Sequence, residues 1–332
     1  MLTVTEHGLH CAAGGFHIDP WRAVDRALIT HAHADHACAG SRQYLCAAPG
    51  VGVLRARLGS SAVIEGVPYG ERRTRDGVTV SFHPAGHVLG AAQIRVEHRG
   101  EVWVVSGDYK TQPDPTCAAF EPVPCHTFVT ESTFGLPLYR WPDPAVVLGE
   151  LHGWWRQNQA AGRTSVVFAY SLGKAQRLLA ALDPGHGPVL IHAAIAALLP
   201  AYEAEGVRFP PTQPLREEIL RATRGQALVL APPATAESAW WRAAGETSTA
   251  FASGWMAVRG MRRWRAADRG FVVSDHADWA GLNDAIRATG ARRVLVTHGY
   301  TRPLVRWWRE QGLDADELAT RFEGEGAGEP QE

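Results

Sequence analysis

Thr30-His31-Ala32-His33-Ala34-Asp35-His36 carries three imidazoles and one carboxylate within the six positions from 31 to 36. A strand sends alternate side chains to opposite faces and cannot aim all four at one point. A tight loop after a strand can, with His31 and His33 on one metal ion and Asp35 and His36 on a second. Nitrogen and oxygen donors at that density suit Zn²⁺, Mn²⁺ or Fe²⁺. The other reading, a surface loop rich in histidine by chance, fits the specific H-x-H-x-D-H spacing poorly. One loop cannot complete two sites, and the sequence supplies more donors. His87 in Ala85-Gly-His-Val-Leu-Gly90 follows an apolar run and offers a third imidazole to the first ion. Asp108 in Val105-Ser-Gly-Asp-Tyr-Lys110 ends another run and could bridge both ions with one carboxylate. Taken singly, a capping histidine and a turn aspartate explain these two as well; their joint order favours ligands.

Outward from the loop, short β-rich runs fill the first 130 residues. Leu2 to Thr5, Phe16 to Asp19 and Arg26 to Thr30 read as strands, and Val78 to Phe82 leads toward His87. Ala91 to His98 and Glu101 to Ser106 read as a hairpin around Arg99-Gly100. Phe128 to Thr130 runs into Glu131. After Pro142 and Pro144 the pattern becomes alternating helix and strand: Ala145 to Gln159, Ser165 to Tyr170, Gly173 to Leu182, Val189 to His192, Ala227 to Leu230. Strand Gly270 to Ser274, helix Trp279 to Ala288, strand Arg293 to Thr297 and an amphipathic Pro303 to Gln311 close an α/β fold. His31, His87, Asp108, Glu131, His276 and His298 each fall just past the carboxyl end of a run, the edge where ligand sites of α/β folds gather.

Composition narrows the class. The chain has 332 residues, 45% hydrophobic and 20% charged, which excludes disorder and collagen-like repeats. Apolar runs such as Ile191 to Leu199 are too short for a membrane span. Glu6 and His7 stand where a secretory signal would be basic and then apolar, so export is not expected. Five cysteines with no CxxC pair suit a reducing cytoplasm. The net charge is −1, but Gln311 to Glu332 holds seven acids against Arg321, so the preceding 310 residues sum to +5. Only Lys110 and Lys174 are lysines among 33 basic residues. Arginine suits bidentate phosphate contacts, although codon bias gives the same composition.

In its H-x-H-x-D-H loop, later histidine and later aspartate, the chain resembles the metallo-β-lactamase fold superfamily. Thr130-Glu-Ser-Thr-Phe-Gly135, Ser274-Asp-His-Ala-Asp278 and Val296-Thr-His-Gly299 resemble the three extra motifs of its β-CASP branch of nucleic-acid hydrolases. An insert containing Tyr170-Ser-Leu-Gly-Lys-Ala-Gln176 matches that branch's cap domain in position. Within the branch the motif wording and compact insert are most similar to bacterial ligase-associated DNA exonucleases. The resemblance implies an αββα sandwich, residues 1–140 and 265–322, interrupted by an α/β β-CASP cap over 141–264 and followed by a disordered acidic tail over 323–332. It implies His31, His33, His87 and Asp108 on one ion and Asp35, His36, Asp108 and His298 on the other. Asp19 would orient an imidazole from behind.

The resemblance further implies a two-metal phosphodiesterase, with Zn²⁺ first and Mn²⁺ second as cofactors, working on DNA ends in repair beside an ATP-dependent DNA ligase and a helicase. RNA processing is the rival within the same chemistry, disfavoured by the short insert; a small-molecule hydrolase would need neither His276 nor Glu131. Water activated by the ions needs no carboxylate base. His276, oriented and kept cationic by Glu131, would protonate the departing sugar oxygen, unless the pair is an ion pair holding cap to core. For the nucleic acid, Ser171 and Lys174 sit at a strand-to-helix turn where N–H groups attract anions; helix capping explains Ser171 nearly as well. Arg262, Arg263 and Arg265 interleave with Trp264 as in single-strand binders, or form an exposed basic helix.

Overall fold

The computed structural model describes residues 1–236, 238, 240–258 and 267–320. Arg262, Arg263, Arg265 and the acidic tail over 323–332 lie outside the described residues. The chain forms two compact units, Met1–Tyr139 with the chain from His276 onward, and Arg140–Asp275. The class is mixed α/β, as the patterning predicts. Among the described residues no helix is long and apolar enough to cross a membrane.

The first unit pairs two sheets. One has six strands in chain order: Thr3–Thr5, Gly8–Cys11, Phe16–Ile18, Arg26–Leu28, Gln43–Ala47 and Ile64–Val67. The other has seven, ordered Asp314–Glu317, Arg293–Gly299, Thr127–Ser132, Glu101–Val105, Ala92–His98, Val78–Pro84 and Arg73–Arg75. Leu9, Phe16, Ile18, Leu28 and Leu45 meet Phe82, Ile94, Val105, Val129 and Leu295 between the sheets. Strand alternation then turns Val104, Phe128, Val294 and Val296 outward, onto Leu282 and Ile286 of helix Trp279–Thr289 and Leu304 and Trp308 of helix Thr301–Glu310. On the outer face of the first sheet, Gly66 leaves room for helix Val51–Leu58; a Cβ there would lie 2.7 Å from Val51 Cγ2. The layers therefore run helix, sheet, sheet, helix. The expected hairpin is present, with Glu101 opposite His98 and positive φ at Arg99 (51°) and Gly100 (80°), the twist a two-residue turn requires.

The second unit is a six-stranded parallel sheet ordered Gln213–Pro214, Val189–Ile191, Leu228–Ala231, Thr164–Phe168, Thr247–Ala252, Arg269–Phe271. Its core packs Leu151, Trp154 and Trp155 of helix Pro144–Ala160 and Leu178 and Leu179 of helix Lys174–Ala181 against Val167, Leu230 and Ala252. Parallel sheets need such cover because both faces are apolar. The expected second boundary at 264/265 moves to Asp275, since Arg269–Phe271 pairs with Thr247–Ala252 inside this sheet.

Candidate metal centre

Strand Arg26–Leu28 delivers the His-rich loop, and Asp19 fastens it. Thr30 donates to both Asp19 oxygens, from its amide at 2.8 Å and its hydroxyl at 2.5 Å. His36 Nδ1 lies 2.8 Å from Asp19 Oδ2. Asp19 takes a left-handed backbone (φ 43°), as does His298 (φ 55°); such conformations cost a side-chain-bearing residue about 1–2 kcal/mol each, offset here by the fixed aim of both side chains. With the His36 and Ala37 amides bonded to the His33 carbonyl, positions 33–37 close into one turn. Asp108 arrives behind Gly107 (φ 57°), where a Cβ would lie 2.6 Å from Thr30 Cβ; only glycine lets that loop settle against the start of the His-rich one.

These elements bring the predicted donors other than Asp35 together in two groups that share Asp108. His31, His33, His87 and Asp108 place ligand atoms within 4.8 Å of one another, as do His36, Asp108 and His298. His33 Nδ1 lies 3.1 Å from both His31 Nε2 and His87 Nε2, and Asp108 Oδ2 lies 3.5 Å from His31 Nε2 and 3.8 Å from His87 Nε2. One ring nitrogen offers one proton or one lone pair and cannot serve two neighbours well. A cation among them can. Tetrahedral Zn–N bonds of about 2.0–2.1 Å separate ligand atoms by about 3.3 Å, close to the observed spacing. His36 Nε2 is buried, makes no hydrogen bond, and lies 3.6 Å from Asp108 Oδ2 and 3.6 Å from Asp35 Oδ2. The residues present therefore fit a divalent ion in each group.

The electrostatics follow from crowding donors in a dry place. Burial, then the neighbouring imidazoles, hold His31 well below the ordinary histidine value. Burial opposes charge on His36 too, but Asp35, Asp108 and Asp19 outweigh it and push His36 up to about 10. Asp108 is pushed up to about 7 by burial, against the pull of His36 and His276 and with Glu131 and Asp35 adding to it. Burial and His36 bring His298 down to about 4. A metal ion must displace protons from these same lone pairs.

Beside Asp108 stands the pair Glu131 and His276, both 1% exposed. Glu131 accepts from the Tyr109 amide (3.0 Å) and the Thr133 amide (3.2 Å), and its two oxygens lie 2.9 and 3.1 Å from His276 Nδ1. Burial alone would raise the Glu131 carboxyl, but His276 and these donors hold it below the usual range. Both residues belong to the first unit.

A small cavity of about 60 Å³ opens at the second group, lined by Asp19, Asp35, His36 and His298 with Ser106, Trp21 and an apolar floor including Leu9 and Val129. Thr30 and Ser132, which donates to the His298 carbonyl, fix the site without having been assigned a role from sequence; both sit inside the motifs, where adjacency was the available signal. Ser171 and Lys174 are not an open phosphate cradle. Ser171 is 6% exposed and Lys174 1%, and Lys174 Nζ lies 2.7 Å from Asp275 Oδ1.

No family model matches the chain. It is 35% identical to part of a probable DNA ligase of Opitutus terrae, over 93% of this chain and 30% of that one. It is 31% identical to cleavage and polyadenylation specificity factor subunit 3 of Dictyostelium discoideum and 30% identical to endoribonuclease ysh-1 of Neurospora crassa, each over 36% of this chain and 16% and 14% of theirs. The chain thus spans under a third of the length of these curated relatives. A crystal structure of a protein of unknown function from Enterococcus faecalis matches 90% of this chain at a TM-score of 0.60 and 14% identity, a likeness of fold alone. The chain that carries this double cluster is therefore similar, along nearly its whole length, to part of a probable DNA ligase, and over about a third of it to cleavage factor subunits and endoribonucleases.

Proposed function

We propose that the chain is a two-metal phosphodiesterase of the β-CASP branch of the metallo-β-lactamase fold, acting as an exonuclease on DNA ends. The observation that carries this reading is Asp108 standing between two imidazole clusters, with Glu131 and His276 within 4.8 Å of it. His31, His33, His87 and Asp108 would hold one ion, and Asp35, His36, Asp108 and His298 the other. When bound, such ions offset the charge that builds on phosphoryl oxygens and make water a competent nucleophile near neutral pH. The protein's own groups do the rest. Asp19 keeps the His36 Nδ1 proton in place, so Nε2 faces the site as a lone pair. Glu131 holds His276 by Nδ1, and His276 passes a proton from Nε2 to the departing sugar oxygen.

The DNA reading rests on similarity to a protein described as a probable DNA ligase over nearly the whole chain, which also favours a DNA ligase as working partner. The endoribonuclease relatives favour RNA as the second reading, on a shorter stretch. End-labelled single-stranded DNA, duplex DNA and RNA, offered with Zn²⁺ or Mn²⁺, separate them. Labelled mononucleotides from DNA support the first reading; internal cuts in RNA with DNA untouched would replace it by the second.

A further inference from the structure

Thirty-one of the 33 basic residues are arginine, and both lysines are interior, Lys110 5% and Lys174 1% exposed. In so arginine-rich a chain, a compact ammonium stands at 174 where space and partner are fixed. Lys174 opens helix Lys174–Ala181; its Nζ lies 2.7 Å from Asp275 Oδ1, both side chains at most 1% exposed, and 4.5 Å from the Tyr170 ring centre. One turn on, Arg177 donates from Nη1 to the Ser274 carbonyl. The helix start is itself pinned, since the Gln176 side chain accepts from the Gly173 amide and donates to the Ser171 carbonyl, both at 2.8 Å. One helix thus grips two successive residues, Ser274 by its backbone and Asp275 by its side chain, past the last strand residue Phe271. The next residue is His276, and on its far side the Ala277 amide is tied to the Tyr109 carbonyl at 2.7 Å.

We infer that the Lys174–Asp275 pair is a positioning device for His276, setting the course of the backbone that presents its Nε2. The inference rests on the proposed proton-donor role of His276. Stability alone does not account for a dry ion pair, because well-packed apolar side chains of similar volume serve a core as well or better. An apolar pair cannot fix the direction of a peptide as a 2.7 Å charged contact does.

The test uses the metal-loaded full chain and two diesters. An end-labelled oligonucleotide, of whichever nucleic acid the wild type cleaves, loses an alkoxide that needs a proton; bis(p-nitrophenyl) phosphate loses a group that departs without one. The double variant Lys174→Met/Asp275→Leu removes both charges together and keeps the volume; Asp275→Asn gives the same reading if the double variant does not fold. With thermal midpoint and metal content matching wild type, turnover on the oligonucleotide should fall about 10²-fold, the cost of a misplaced group, with KM nearly unchanged. The loss on the chromogenic diester should be smaller by at least about tenfold. Equal losses on both substrates, or none on either, would overturn the inference. If the wild type cleaves neither diester, the phosphodiesterase reading fails and this inference falls with it.

Discussion

Replacing Asp19 by Asn should weaken one metal site and largely spare the other. Asparagine tolerates the left-handed backbone at this position (φ 43°) and can still accept the Thr30 amide, now 2.8 Å from Oδ1. Its NH₂ group would then face His36 Nδ1, which lies 2.8 Å from Oδ2. Two donors cannot meet, so the imidazole takes the other tautomer, with the proton on Nε2. That proton sits where the ligand lone pair belongs, 3.6 Å from Asp108 Oδ2. The expected cost is about 10–100-fold in affinity for the ion held by His36, Asp35 and His298, or about 1.4–2.7 kcal/mol. His31 is linked to Asp19 through the Thr30 hydroxyl, 3.1 Å from its Nδ1, rather than by a ring contact of its own, so the other ion should be weakened much less. Competition titration against a chelator, resolving two affinities per chain, reads this directly. Asp19→Ala should instead lose stability as well, because the buried Thr30 amide loses its acceptor, at about 1–3 kcal/mol. If both affinities fell together in Asp19→Asn, or neither fell, the division of ligands between two ions would be wrong.

His276→Ala should keep both metals and slow turnover about 10²–10⁴-fold; loss of metal would move His276 among the ligands. Metal binding should release protons, because His36 holds one up to about pH 10 and Asp108 up to about pH 7 in the metal-free chain. His36, raised above its ordinary value, stabilises that metal-free fold fully below about pH 6.5 and loses the contribution as pH climbs through about 10. Calorimetric titrations in buffers of different protonation enthalpy at pH 8 should agree on release of a proton or more, and no buffer dependence would refute it. Replacing Arg262, Arg263 and Arg265 by Ala should flatten the salt dependence of single-strand binding by up to about two units; an unchanged slope would make them ordinary surface charge.

The candidate donors were legible because metal chemistry imposes tight spacing: His31 to His36 lie in one loop, and each later candidate stands just past an apolar run. Elements with periodic apolar residues were legible too, as in the hairpin Ala92–His98 with Glu101–Val105. Weak patterns hid the rest. Strand Arg73–Arg75 is exposed at all three positions and carries no apolar signal. Helix Val51–Leu58 begins after Ala48-Pro-Gly, carries Gly52 in its first turn and Arg55 and Arg57 in its last, and buries only Val53 and Leu54. Lys174 misled because a lysine near a helix start suggests solvent or phosphate, and its partner lies 101 positions away at Asp275. The Glu131–His276 pair was expected as a unit, but the amides of Tyr109 and Thr133 that hold the carboxylate belong to the fold and carry no side-chain signature.

The most direct test of the central claim is a stoichiometric one. Metal-free protein receives Zn²⁺ or Mn²⁺ in fractions of an equivalent per chain, and cleavage of an end-labelled single-stranded DNA is followed at each step. Two ions sharing Asp108 predict little cleavage up to the first equivalent, a rise through the second, a plateau at two, and no rise at all in Asp108→Ala. A plateau at one equivalent, or cleavage by the metal-free protein, would contradict the account.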